Sequence, residues 1–254
     1  MTVHAPSRRD RLRAATTQEI IQTARRLLVE EGPDAVSLRA IAREMGMTAP
    51  ALYRYFDSHE ELLRHVVADI FTELASHVRA AIHAAADASP GDLTEAEVMA
   101  VKLMAGCREF RAWTLEHVPE FSMIFGSPLP GLEEVLAGIR RDPTVDCGHK
   151  FGQLFLELFG DLYRRRPFPV PADSDVDPAL REQLARYREL TSSDLPIGAL
   201  QTFLRCWVLL YGTVSLEVFG HLRFALDDPS PMFELMLADM APMIGLEYPL
   251  SQRH

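Results

Sequence analysis

Between His59 and His65 the chain reads His-Glu-Glu-Leu-Leu-Arg-His, two imidazoles bracketing two carboxylates, the composition from which helical zinc hydrolases build a metal site. The spacing defeats that chemistry. A six-residue step puts the two rings on opposite sides of a helix, whereas joint metal ligation needs a step of about four. Cys107, Cys147 and Cys206 are odd in number and widely spaced, which suits neither a disulfide framework nor a structural zinc site. No Gly-rich phosphate loop, Gly-x-Ser-x-Gly or Cys-x-x-Cys is present. No cofactor and no metal are expected. The remaining catalytic alternative is a cofactor-free all-α enzyme with His117 or His149 as its base, marked by a shifted imidazole in a cleft.

The segment that carries binding chemistry runs from Ser37 to Leu62, SLRAIAREMGMTAPALYRYFDSHEEL. Ser37 can accept from an orphan backbone N–H at the start of a helix whose Leu38, Ile41, Ala42 and Met45 form one apolar face. Gly46 ends that helix by taking the left-handed conformation that a Cβ would penalise. Thr48 then sits at a second N-cap with Pro50 in the first turn, where a missing N–H costs nothing. The second helix lasts barely two turns, with Ala51, Leu52, Tyr55 and Phe56 available to pack inward or against its supports. Ser58-x-x-Glu61 is a capping box that opens a third helix almost at once. Two helices around a tight glycine turn form a helix-turn-helix, the unit that lays a short helix in the DNA major groove.

Over Thr17 to about Leu63 this run resembles the DNA-binding region of the TetR family of bacterial transcriptional regulators. The resemblance rests on the first helix ending Glu30-Glu31-Gly32, then AVSLRAIA, the Gly46-Met47 turn, ALYRYF, and Ser58-His59-Glu60-Glu61-Leu62. It implies base-edge roles for Arg39, Ala49, Pro50, Ala51 and Arg54. Only the two arginines can donate in pairs to guanine O6 and N7, and Ala49, Pro50 and Ala51 offer apolar contact to thymine methyls. The readout is therefore expected to be sparse in hydrogen bonds. Ser37, Thr48, Tyr53, Tyr55 and His59 are expected to hold phosphates through their hydroxyls and imidazole, with help from the helix N-terminus at Ser58. His59 stands where family members commonly carry Lys.

The chain has a formal charge of −10, yet its first 60 residues hold nine Arg against eight acids, so the acidity belongs wholly to the remainder. The acidic body would turn away from DNA while the N-terminal unit faces it. So modest a basicity neutralises few phosphates per subunit, which favours a dimer. Residues 1–15 read as a flexible basic arm whose Arg8, Arg9, Arg11 and Arg13 could enter a minor groove or follow the backbone. Thr16-x-x-Glu19 reads as the box that opens the first helix, with Ile20, Ala24, Leu27 and Leu28 along one face. No apolar leader opens the chain, and its longest apolar stretch, Phe203 to Gly220, is broken by Arg205 and Glu217. No membrane association is expected, and the cytoplasm is the expected compartment.

Apolar residues recur at three and four positions throughout, which predicts an all-α chain. A connector helix is predicted from Ser58 to about Ala86, and Thr94-x-x-Glu97 opens another that reaches Val118-Pro119. Phe121 to Gly131 reads as a short apolar passage broken by Gly126, Pro128 and Pro130. Helices follow at about Leu132 to Arg141 and Val145 to Arg166, then a mobile Pro- and Asp-rich loop from Pro167 to Pro178 with little to bury. Asp177-Pro178 starts the next helix, and two strongly apolar helices close the chain at about Pro196 to Leu222 and Pro229 to Ile244.

The second part also resembles a C-terminal class of the same family named for a Trp-His-Gly motif, through Trp207, Tyr211 and Gly212 and the upstream Pro119 to Gly126. Tyr211 replaces the usual His and removes a titratable group. Apolar residues all round the last two helices must bury two faces, and the resemblance implies that the second is buried against another copy. Leu204, Val208, Tyr211, Val214, Phe219, Met232, Leu235, Met236 and Met240 are its expected sources. Phe110, Trp113, His117, Phe121, Phe125, Phe151, Phe155 and Phe159 suit a pocket for a small hydrophobic or aromatic effector.

The fold expected is all-α: an N-terminal three-helix helix-turn-helix DNA-binding domain over residues 16–63, joined by a long helix to a C-terminal helical ligand-binding and dimerisation domain over 64–254. The function expected is a homodimeric, sequence-specific transcriptional regulator, a repressor released by its effector from an inverted-repeat operator in double-stranded DNA. A ligand-independent architectural DNA-binding protein is the alternative. Twenty-four Arg against two Lys suggest a high-G+C genome and a GC-containing operator.

Overall fold

The computed structural model describes residues 7–126 and 143–246, with backbone alone at 143–146. The described residues are helical with no strand, and they form two compact units. The first holds the described residues within 1–74 and 117–151, the second those within 75–116 and 152–254.

Helix α1 spans Arg8–Glu31 and begins more than three turns before its buried apolar face does at Ile20. The cap is local: Ser7 Oγ accepts from Asp10 N at 3.2 Å, and Asp10 Oδ2 accepts from Ser7 N at 3.2 Å. The irregular arm expected over residues 8–15 is thus helix, because a capping box that does not depend on burial lies upstream of the one proposed at Thr16. Thr16 is interior to the helix, its hydroxyl donating to Leu12 O at 3.1 Å. Ile20, Ile21, Ala24, Leu27 and Leu28 are buried.

Helices α2 (Leu38–Glu44) and α3 (Ala49–Leu52) follow the expected pattern. Ser37 Oγ accepts from Ala40 N at 3.2 Å, and Gly46 at φ +63° lets Met47 N reach Ala42 O at 2.8 Å. Thr48 takes the N-cap position of α3, but its side chain makes no capping bond. Helix α3 has one turn rather than two. Its C-terminal continuation is a series of tight turns through Arg54 and Tyr55, ending where Phe56 is buried at 1 % exposure.

Helix α4 runs His59–Asp87, with Ser58 Oγ accepting from Glu61 N at 3.1 Å and the Glu61 carboxylate accepting from Asp57 N at 2.5 Å. Leu62, Val66, Ile70, Leu74 and Val78 form its buried stripe, and Leu63 is only half-buried. Helix α5 (Glu95–Glu116) opens with the reciprocal Thr94–Glu97 box.

Helix α6 (Val118–Phe125) takes up the start of the apolar passage and ends at Gly126, the first of its expected breaks. Pro119 sits in its first turn, where proline initiates rather than breaks a helix. The helix expected over Leu132 to Arg141 lies outside the described residues. Helices α7 (Pro143–Arg165) and α8 (Pro178–Leu190) follow, the latter capped by Asp177, whose carboxylate accepts from Ala179 N at 2.9 Å and Leu180 N at 3.0 Å. The loop between them is pinned rather than bare: Phe168 and Val176 are buried, and Phe168 sits edge-on to Phe159 and Tyr163.

Helices α9 (Ile197–Val218) and α10 (Ser230–Met240) close the described chain, followed by a 3₁₀ turn over Ala241–Ile244. By length and composition α9 is the one described helix that could cross a membrane. Its Ile197, Ala199, Leu200, Phe203, Leu210 and Val214 are buried within this chain, while Val208, Leu209 and Leu216 are exposed.

Candidate nucleic-acid interface and buried cavity

A one-turn helix cannot hold itself in place, since nucleation costs more than so few hydrogen bonds return. Leu52 and Phe56, both almost fully enclosed, anchor α3 from within. From outside, Arg13 on α1 donates from Nη2 to Arg54 O at 2.8 Å and lays its guanidinium 5.2 Å from the centre of the Tyr55 ring. Arg26 joins α1 to α2 through Glu44 Oε2 at 2.9 Å.

On that scaffold Arg39, Thr48, Pro50, Tyr53, Arg54 and His59 are exposed, and Ser37, Ala49, Ala51 and Tyr55 are half-buried. Tyr53 is half exposed, at 50 %, a large aromatic left open beside buried Leu52. The residues expected to meet DNA therefore all lie on the α2–α3 unit and its flanks, with their side chains at least partly open. Two carry other duties. Ser37 Oγ is engaged as a helix cap, and His59 Nε2 lies 2.6 Å from Val36 O. A carbonyl only accepts, so Nε2 carries the proton, and Nδ1 can donate to a phosphate only in the imidazolium form.

Behind this surface one guanidinium faces three carboxylates. Arg25, 8 % exposed, is paired through both Nη atoms with Glu73, lies 3.4 Å from Glu120 Oε1, and has Asp69 Oδ2 at 3.5 Å. Burial alone would lower the Arg25 pKa, but the hydrogen bond and charge of Glu73 and the charges of Glu120 and Asp69 outweigh it and hold it above its ordinary value. Gln18 and Gln22 donate to the Asp69 carboxylate at 2.8 and 3.1 Å. The cluster thus joins α1, α4 and α6. Nothing in the apolar periodicity signalled it, although Arg25 lies on the buried side of α1 beside Ala24 and Leu28.

The expected effector aromatics do not form one pocket. Phe121, Phe125 and Phe151 cluster with Phe71 in the first unit, with Phe71–Phe125 centroids 5.5 Å apart. His117, in the same unit, has Nε2 3.8 Å from Glu73 Oε1. Phe110 and Trp113 are enclosed in the second unit at 0 and 1 % exposure. Phe155 and Phe159 do border a cavity there, of about 30 Å³, with Phe203, Trp207, Cys107 and Cys206. It lies wholly between α5, α7, α9 and α10, and no charged side chain lines it. Cys107 and Cys206 were not anticipated as cavity walls. Burial pushes both thiols up to about 12, with the neighbouring Cys206 adding to the effect on Cys107.

The expected interface residues divide as well. Val208, Phe219, Met232 and Leu235 are exposed at 65, 39, 43 and 48 %, and Leu204 and Tyr211 are half-buried. Val214, Met236 and Met240 are closed in by their own chain, because they fall on the inward face of α9 and α10, and Met240 also borders the cavity. Trp207 and Tyr211 stack at 6.1 Å with an interplanar angle of 9°.

A short helix presented by two supporting helices, with open arginines at its edges, defines a helix-turn-helix DNA-binding protein. A family profile described as "Bacterial regulatory proteins, tetR family" matches residues 20–66, and one described as "Tetracyclin repressor-like, C-terminal domain" matches residues 103–240. The chain belongs to the TetR family of transcriptional regulators, and it is a DNA-binding protein rather than an enzyme. It is 29% identical over 239 residues to the HTH-type transcriptional regulators Mb1846 of Mycobacterium bovis and Rv1816 of Mycobacterium tuberculosis, covering 92% of this chain and 93% of each of those. Among solved structures, SCO4313, described as a regulatory protein, is similar with a TM-score of 0.62 and 28% identity over 94% of this chain and 100% of that one. A protein with unknown function from Rhodococcus sp. RHA1 shares the fold, with a TM-score of 0.58 at 18% identity over 98% of this chain and 100% of that one.

Proposed function

We propose that the protein is a cytoplasmic, homodimeric repressor that binds an inverted-repeat operator through Arg39, Ala49, Pro50, Ala51 and Arg54, with Ser37, Thr48, Tyr53 and Tyr55 on phosphates, and that a small hydrophobic effector releases it. The observation that carries the effector half of this reading is the uncharged cavity bordered by Phe155, Phe159, Phe203 and Trp207. At about 30 Å³ it has room for no more than a few heavy atoms, well short of the ~150 Å³ that accommodates benzene. A hydrophobic effector must therefore enlarge it, and a ligand that fits one arrangement of these helices better than another shifts the population between them. To move the operator-bound fraction from nearly all to nearly none takes roughly 10⁴-fold differential affinity.

Exposed Val208, Leu209 and Leu216 on α9 and Met232 and Leu235 on α10 support burial against a second copy. A two-fold dimer sets the two α3 helices about 34 Å apart, one turn of DNA.

The test is footprinting on DNA flanking the protein's own gene, repeated with neutral aromatic compounds and with carboxylate analogues of the same size. Protection of an inverted repeat that neutral compounds alone remove supports the reading. Protection without symmetry, or release by the carboxylates equally, sinks it.

A further inference from the structure

Outside the α2–α3 surface, the first unit holds an open cleft bordered by Arg8, Arg9, Arg13, Arg54, Leu12 and Tyr55, of about 660 Å³, with no acidic residue on its walls. We propose that this cleft is a second DNA contact, in which the first two turns of α1 grip the phosphate backbone flanking the bases read by α3. The inference rests on α3 being the reading helix, and it assigns to residues 8–13 of α1 a docked, helical role in place of part of a mobile arm.

Three observations carry it. At 100° per residue, Arg8, Leu12, Thr16, Arg9 and Arg13 fall within one 140° arc of α1, all on the cleft side, whereas Asp10 and Arg11 fall outside that arc. Asp10 is moreover engaged as the cap of α1, so its carboxylate is turned from the cleft and occupied. The cleft is also continuous with the expected DNA face, since Arg54 and Tyr55 belong to both and Arg13 fastens the two walls together through Arg54 O at 2.8 Å. In a chain of net charge −10, four arginines around one open groove are a local reversal of sign that fits a polyanion. Because helix α1 is already ordered there, gripping phosphate carries little ordering cost, unlike the folding of a free arm.

The cleft offers no groove-reading geometry of its own, so it should add affinity without sequence preference. Each phosphate neutralised contributes a slope of about −0.9 to log affinity against log salt. The experiment is a salt titration of the full-length protein on a duplex it enriches from a random-sequence pool and on a scrambled duplex of the same length. The variants are Arg8→Gln/Arg9→Gln, Arg9→Gln, Arg11→Gln and Arg39→Ala, each with its thermal midpoint matched to the parent. We expect Arg8→Gln/Arg9→Gln to flatten the slope by about two per subunit on both duplexes, narrowing the affinity loss between 50 and 200 mM salt by roughly tenfold per subunit. Arg9→Gln should flatten it by about one. Arg11→Gln, which removes the same charge from outside the cleft, should change it by less than half as much. Equal effects of Arg9→Gln and Arg11→Gln, or no effect of the double variant, would overturn the cleft. Arg39→Ala reports separately on the reading helix: it should erase discrimination between the two duplexes at one base position while leaving the slope contributed by Arg8 and Arg9.

Discussion

Arg25 and Glu120 are 95 residues apart in sequence and meet inside the first unit, guanidinium Nε to carboxylate Oε1 at 3.4 Å, with both side chains no more than 10 % exposed. The pair binds α6 to α1, and α1 in turn supports α3, so the same cation that closes the core also holds the platform of the reading helix.

Removing that cation should cost more than neutralising one of its partners. Arg25→Met removes the guanidinium that Asp69, Glu73 and Glu120 share and should lose about 3–5 kcal/mol of stability. Glu120→Gln keeps an acceptor for Arg25 and should lose markedly less. Urea unfolding of both variants decides; equal losses would mean that the carboxylates do not depend on the shared cation.

Gly198 on the first turn of α9 faces the loop that carries Phe168 and Val176, and a Cβ built there would lie 1.9 Å from Pro171 O. Gly198→Ala must displace backbone rather than a flexible side-chain end, and should cost at least about 1–3 kcal/mol. A thermal midpoint unchanged by the substitution would show that the loop does not press on α9.

The thiols give stability a sign in alkali. Folded Cys107 and Cys206 keep their protons to about 12, whereas the ordinary thiol value is 9.0. Below 9 both states are protonated and the contribution is fully present; between 9 and 12 the unfolded state ionises first and stability falls, by about 1.4 kcal/mol per pH unit for each thiol. Unfolding measured at pH 8 and pH 10 should show this loss, and Cys107→Ala should reduce its slope. In the folded protein an alkylating reagent should take Cys147 well before buried Cys107, and equal labelling of the two would contradict the burial of Cys107.

On DNA, Arg39→Ala should cost roughly 1–3 kcal/mol and relax one base position, while Tyr53→Phe weakens every sequence alike. Binding to a set of single-base operator variants separates the two patterns. Identical losses on cognate and random duplexes for both substitutions would remove the assignment.

What could be read from the chain was what depends on a few adjacent residues. Ser37, Gly46, Pro50 and the Ser58–Glu61 box act over one turn, and they placed α2, α3 and the start of α4. The start of α1 was missed because Ser7 and Asp10 cap a stretch that has no apolar stripe to betray it, and α6 because Pro119 breaks a helix interior but begins a helix. The site divided in the same way. The exposure of Arg39, Thr48, Tyr53 and Arg54 follows from position within a local motif, whereas residue type alone does not place an aromatic side chain. Phe121 and Phe155 are the same residue type, and only packing sends Phe121 on α6 into a ring cluster with Phe125 and Phe155 on α7 to the wall of a cavity shared with α5, α9 and α10.

The brevity of α3 has an evolutionary corollary. Four residues in a single turn inherit their orientation from Leu52, Phe56 and the grip of Arg13 on Arg54 O. Under the proposed DNA-binding reading, selection on operator choice would then reach positions away from the bases: a change at residue 13, forty-one residues upstream of the carbonyl it holds, would re-aim α3 without altering any residue within it.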